Sequence, residues 1–188
     1  MRGICIFLAL ILMIFAPGCG PKRNESDAAR VREHYTSSSE TVYNNVTLRT
    51  DFGDRVMDFT VNYTRRPDGS GHMSVIAPEL ISGIEAELDR DGATLKYDGL
   101  ALEMGRLPGT GLSPLESLPF IVSQWDGGYV TQTARERRAG REFLTLITSH
   151  AAGAASLEVI TMFDRDTLAP ETAELYVNGY LTVTAFFG

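Results

Sequence analysis

Three histidines, two cysteines and 24 carboxylates are the groups in this 188-residue chain that could support acid–base, nucleophilic or metal chemistry. Such chemistry needs two or more of them within hydrogen-bond reach of each other, and a metal needs ligand spacing such as H-E-x-x-H. His34, His72 and His150 stand in a polar N-terminal segment, beside a turn and in a loop, with no ligand spacing between any two. Asp164 and Asp166 in "DRDTLAPE" are two apart, as in a calcium loop. Such a loop also needs a glycine at its sixth place and a glutamate at its twelfth, and both are missing here, so the segment reads as a strand connection. "GRLPGTG" at 105–111 is glycine-rich without a lysine and reads as an exposed loop; G-x-S-x-G, phosphate-loop and dinucleotide patterns do not occur. The residues do not point to an enzyme, and no cofactor or metal is expected.

The cysteines carry a different message. Cys5 lies in an apolar run from Ile4 to Ala16 that follows Arg2, and Cys19 stands just behind Ala16, Pro17 and Gly18. The run is shorter than the roughly 20 residues of a membrane-spanning helix. One positive charge, a short apolar core and a small-residue exit make a secretory signal peptide over residues 1–18. Once it is removed, Cys19 is the one thiol left, so an internal disulfide is excluded; a free thiol or an intermolecular bridge would be the ordinary fates of an odd cysteine. Its position behind three small residues resembles the bacterial lipobox. That resemblance implies acylation of Cys19 and a chain held in the lipid bilayer at the extracytoplasmic face of a bacterial cell membrane, where two or more acyl chains give a stable anchor. Residues 19–29, polar and broken by glycine and proline, then read as the lipidated N-terminus and a flexible tether, and 30–188 as a single domain.

Hydrophobic residues make up 44% of the chain and charged ones 22%, a folded soluble composition. Loss of Arg2 with the leader leaves 16 basic against 24 acidic residues, a formal charge of −8. This acidic balance argues against a nucleic-acid partner. The densest basic run, "ARERRAG" at 134–140, reads as a solvated hairpin end.

From Thr41 onward the dominant period is two, as in strands with one buried face. Met57, Phe59, Val61 and Tyr63 share one side of the first clear case; Met73, Val75 and Ala77 share a side of the next. Ile84, Ala86 and Leu88, then Ala93, Leu95 and Tyr97, repeat the pattern, and Asp98-Gly99 and Asn178-Gly179 mark tight hairpins. Ile160 and Met162 beside Val159 and Phe163 suggest a stretch covered on both faces. In "SPLESLPFIVSQW" the period changes: Ser113 can cap, Pro114 suits the first helical position and Glu116 completes a capping box. Leu115, Leu118, Val122 and Trp125 form its stripe, and Pro119 implies a kinked helix or two short ones. A shorter helix with Ala28, Val31 and Tyr35 on one face fits "DAARVREHY". The expected fold class is mainly β: a strongly twisted antiparallel sheet with one or two helices over its concave face.

"APELISGIEAEL" (77–88), "LKYDGLALEMG" (95–105), "GLSPLESLP" (111–119), "WDGGYV" (125–130) and "MFDRDTLAPETAELYVNG" (162–179) together resemble the LolA/LolB lipoprotein carrier superfamily. That resemblance implies a highly curved, unclosed barrel of about eleven strands, helices forming a lid over an apolar cavity, and a lipid or lipoprotein acyl chain as cargo. Candidate lining residues lie on the inward faces and the helical stripe: Met57, Phe59, Val61, Val75, Leu95 and Leu102 from the first strands, Leu118, Val122 and Trp125 from the helix, and Phe143 from the second half. The same residues would equally make a plain core. Two functions therefore stand: a membrane-anchored lipid-binding module, or a non-catalytic interaction lipoprotein of the cell envelope with a filled core and an envelope protein as partner.

Overall fold

The computed structural model describes residues 22–89, 92–105 and 114–188. The leader, Cys19 and the capping Ser113 lie outside the described residues. The elements are, in order, α1 (Lys22–Thr36), β1 (Thr41–Asp51), β2 (Val56–Arg65), β3 (Gly71–Ala77), β4 (Glu85–Leu88), β5 (Gly92–Tyr97), β6 (Leu100–Gly105), α2 (Pro114–Gly127), β7 (Tyr129–Arg138), β8 (Arg141–Ala152), β9 (Ala155–Asp164), β10 (Pro170–Val177) and β11 (Tyr180–Phe186). A short 3-10 turn, Glu79–Ile81, joins β3 to β4. Among the described residues no helix is long and apolar enough to cross a membrane.

The strands form one antiparallel sheet in the order β6-β5-β4-β3-β2-β1-β11-β10-β9-β8-β7. Two meanders therefore run outward from the centre, joined by the pairing of β1 with β11 (Thr47 opposite Phe186, Thr50 opposite Val183). The outermost strands, β6 and β7, do not pair, so the sheet is unclosed. Flat, eleven strands about 4.8 Å apart would span about 50 Å. Yet Ala86 of β4 and Leu144 of β8 belong to one buried cluster with both helices, which requires the sheet to curl around them. The expected fold class is thus what the topology shows.

Local chemistry explains the elements. Asp98 (φ 49°) with Gly99 (φ 77°), and Asn178 (φ 52°) with Gly179 (φ 81°), supply the left-handed pairs that two-residue hairpins demand. The basic run 134–140 is a hairpin end, turned at Ala139-Gly140 between β7 and β8. Burial in β9 alternates strictly, with Leu157, Val159, Thr161 and Phe163 inward. Ile160 and Met162 are only half-buried, so a second fully buried face is not seen there among the described residues.

α2 is one continuous helix with Pro119 inside it. Leu118, Ile121, Val122 and Trp125 are fully buried, and the helix packs on β1, β10 and β11. At its exit a Cβ on Gly128 would lie 2.4 Å from the Gln124 carbonyl oxygen, so only glycine fits.

α1 corrects the expected tether, because Lys22–Ala29 is helical. Its sequence is polar, and the order comes from docking. Asp27, 6% exposed, pairs with Arg135 of β7, while Val31 and Tyr35 enter the core. Arg32 donates from Nε to the Asp126 carbonyl (2.9 Å) and from Nη2 to the Gly128 carbonyl (3.0 Å), placing a cation at the negative C-terminal end of α2.

Candidate functional site

The candidate site is built from the inward faces of β2–β6. Cross-strand register sets up an apolar row: Tyr43 opposite Tyr63, Tyr63 opposite Met73, Met73 opposite Ala86, Ala86 opposite Leu95, and Leu95 opposite Leu102. Burial falls along it. Tyr63, Met73 and Ala86 are buried, Leu95 is half-buried, and Leu102 is 62% exposed. A parallel row of Leu48, Phe59 and Met57 behaves alike: Leu48 is fully buried beneath the helices, whereas Phe59 and Met57 are half-buried. The helices make their main sheet contacts with β1, β7, β10 and β11, which leaves the β2–β6 half less covered.

The ten candidate lining residues thus divide. Val61, Leu118, Val122 and Trp125 sit in the packed interior between helices and sheet. Met57, Phe59, Val75, Leu95 and Leu102 form the partly open concave surface beside it. Phe143 faces the other way. It pairs with Asp164 and lies under the Arg141 guanidinium at 5.1 Å, whereas its neighbours Leu144 and Leu146 point into the core. Period-two reading cannot choose between adjacent phenylalanine and leucine; the register with β9 does.

Around Trp125 the interior is filled. Its Nε1 donates to Thr161 Oγ1 (2.9 Å), and its ring meets Tyr35, Tyr43, Phe163 and Phe187 with centroids 4.8 to 5.8 Å apart. Tyr35 Oη donates to the Leu168 carbonyl (2.6 Å). Burial pushes the Tyr35 and Tyr43 phenols well above their ordinary range and Tyr63 up to about 12, so all three stay neutral at physiological pH. Arg65 and Asp126, each 18% exposed at the side chain, form an ion pair that ties β2 to the end of α2. A cavity of about 380 Å³ opens between the end of α1, the start of β1 and the C-terminus, with His34, Tyr35, Tyr43, Val46 and Phe187 in its wall; none of the ten candidates lines it.

The three histidines stand apart from one another. His34 rests edge-on against Tyr35, His150 against Phe120, and His72 Nδ1 lies 3.2 Å from Glu87 Oε1, which was not legible in the sequence. Asp164 organises its own turn: it accepts from the Thr167 backbone N–H and from Arg141, each at 3.0 Å, and also from the Thr167 hydroxyl. Together these hydrogen bonds lower its pKa to about 2. Among the described residues no group of three or more His, Cys, Asp or Glu side chains is placed to hold a metal ion.

Sequence reading missed a second apolar feature. Because the sheet is antiparallel, the β1–β2, β3–β4, β5–β6, β10–β11 and β8–β9 connections lie at one end, the upper rim. Phe52 and Val56 flank the first of them, Ile76 and Leu80 the second, Tyr97 and Leu100 the third, and Tyr180 and Leu181 the fourth, all exposed. The signal was present as a large apolar residue on each side of a turn, but turn chemistry was read first.

No family model matches the chain, and no curated protein matches it. Among solved structures it is similar to a LolA-superfamily protein from Nitrosomonas europaea, with 14% identity over 82% of this chain and 74% of that one (TM-score 0.46). It is also similar to LprF from Mycobacterium bovis, with 12% identity over 87% and 90% of the two chains (TM-score 0.49). A third is the complex of the CwlD amidase with the GerS lipoprotein from Clostridioides difficile, with 13% identity over 89% and 93% (TM-score 0.38).

Proposed function

We propose that the chain is an extracytoplasmic lipoprotein, anchored in the bilayer through acylated Cys19, that holds a lipid or a lipoprotein acyl chain against the concave face of β2–β6. The observation that carries this reading is the apolar row whose burial falls from Met73 to Leu102, on the half of the sheet that the helices leave less covered. Each methylene buried there contributes about 0.8 kcal/mol, so a few turns of acyl chain suffice for useful affinity. Met57 gives that surface an adaptable side chain. No acid–base pair is needed, and the role is binding rather than catalysis.

Intact-mass spectrometry of the detergent-extracted full chain tests both parts. The expected spectrum carries the acyl mass on Cys19 and, under native conditions, a bound lipid that is lost in Leu102→Asp. A mature chain without acyl mass would overturn the anchor. Bound lipid retained in that variant would overturn the site. The second reading, an interaction lipoprotein with a filled core, is favoured by the dense packing around Trp125; it expects an acylated chain with no bound lipid at all.

A further inference from the structure

We propose that the upper rim is a docking surface for a protein partner that presents basic side chains around an apolar socket. The inference does not depend on the anchor or on the lipid site.

Among the described residues, twelve large hydrophobic side chains are exposed, and eight of them flank four of the five upper-rim connections; the fifth, between β8 and β9, carries none. Leu80, at 89%, is the most exposed of all, and Tyr180 follows at 78%. Turn formation does not require them, because the Asp98-Gly99 and Asn178-Gly179 pairs make their hairpins whatever flanks them. The lower rim acts as an internal control. Its Arg66–Ser70, Ala139–Gly140 and Arg165–Ala169 connections carry no exposed large hydrophobic, and Leu168 there is buried. At the lower strand ends Val42 and Phe186 are the exposed large hydrophobics among the described residues, against eight at the upper rim. Clustered exposed apolar side chains on an otherwise polar protein mark a contact surface.

The occupant follows from charge. An anionic bilayer is disfavoured, because the same connections carry exposed Asp51, Asp54, Glu79, Glu85 and Asp98 against Arg55 and Lys96. Apolar tips set among uncompensated carboxylates complement a basic protein surface, which also speeds encounter.

The test places a photoreactive benzoylphenylalanine at Leu80, Leu100 or Ala139 in the full lipidated chain, within its own cell envelope. A protein adduct shared by positions 80 and 100, absent at 139, and lost in the triple variant Asp54→Lys, Glu79→Lys, Glu85→Lys is expected. The purified partner should then bind the purified chain with an affinity that falls roughly tenfold from low salt to about 0.5 M salt. These carboxylates are exposed, so an unchanged unfolding midpoint verifies that the variant folds. Adducts to lipid, adducts indifferent to charge reversal, or none from the rim would each overturn the proposal.

Discussion

The two halves of the sheet obey the same strand chemistry and end in different states. Under α1 and α2, strands β7–β11 and β1 bury Leu48, Leu144, Phe163, Leu175 and Val183 almost completely. In β2–β6 the same alternation leaves Phe59, Val75 and Leu95 half-buried and Leu102 exposed. Intrinsic strand preference does not account for the contrast. Each half offers an apolar inner face, and the helices land mainly on one of them. The covered half is a core; the other carries apolar surface that folding has not consumed.

The sharpest way to break this contrast is to hollow the covered half. Trp125→Ala removes the side chain that meets four other aromatic rings and should lower the unfolding free energy by about 3–5 kcal/mol in urea denaturation. Next comes the tie between the halves. Asp126→Asn leaves Arg65 without its carboxylate in a site only 18% exposed, and a loss of about 1–3 kcal/mol is expected, little relieved by salt. If the loss is under about 0.5 kcal/mol, the β1–β2 ladder and packing hold the halves together without the ion pair. In the less covered half, Leu102→Asp should shift stability by less than about 1 kcal/mol while weakening displacement of a fluorescent fatty acid. A large stability loss there would mean that β6 is core after all.

The smallest effect is electrostatic. Asp164 is lowered to about 2 in the folded chain by its hydrogen bonds, against an ordinary value near 3.8. A depressed carboxylate stabilises above its unfolded pKa, and that contribution disappears as pH falls through the folded one. The wild-type melting temperature should therefore drop between about pH 4 and pH 2 slightly more than that of Asp164→Asn.

Much of the strand pattern was legible, because Met57, Phe59, Val61 and Tyr63 alternate with polar residues and the Asp-Gly and Asn-Gly turns are unambiguous. The helix over 114–127 was legible from its change of period. The first helix was taken for a tether across Lys22–Ala29, because a polar stretch reveals nothing about the distant Arg135 that orders it through Asp27. Phe143 was assigned to the wrong face, since local period cannot choose between it and Leu144 when both are apolar. Which half of the sheet stays less covered depends on where α2 crosses, a tertiary fact that no local pattern contains.

The central pairing of β1 with β11 also governs how the molecule must assemble. Each meander closes through neighbours a few residues apart, whereas Thr47 meets Phe186 across nearly the whole domain. Closing so long a loop carries the largest chain-entropy cost in the sheet, and rates of folding fall as contacts become more distant in sequence. The seam between Leu48 and Ala185 is accordingly the place where two locally formed sheets become one, and its formation, rather than that of either hairpin series, sets the pace.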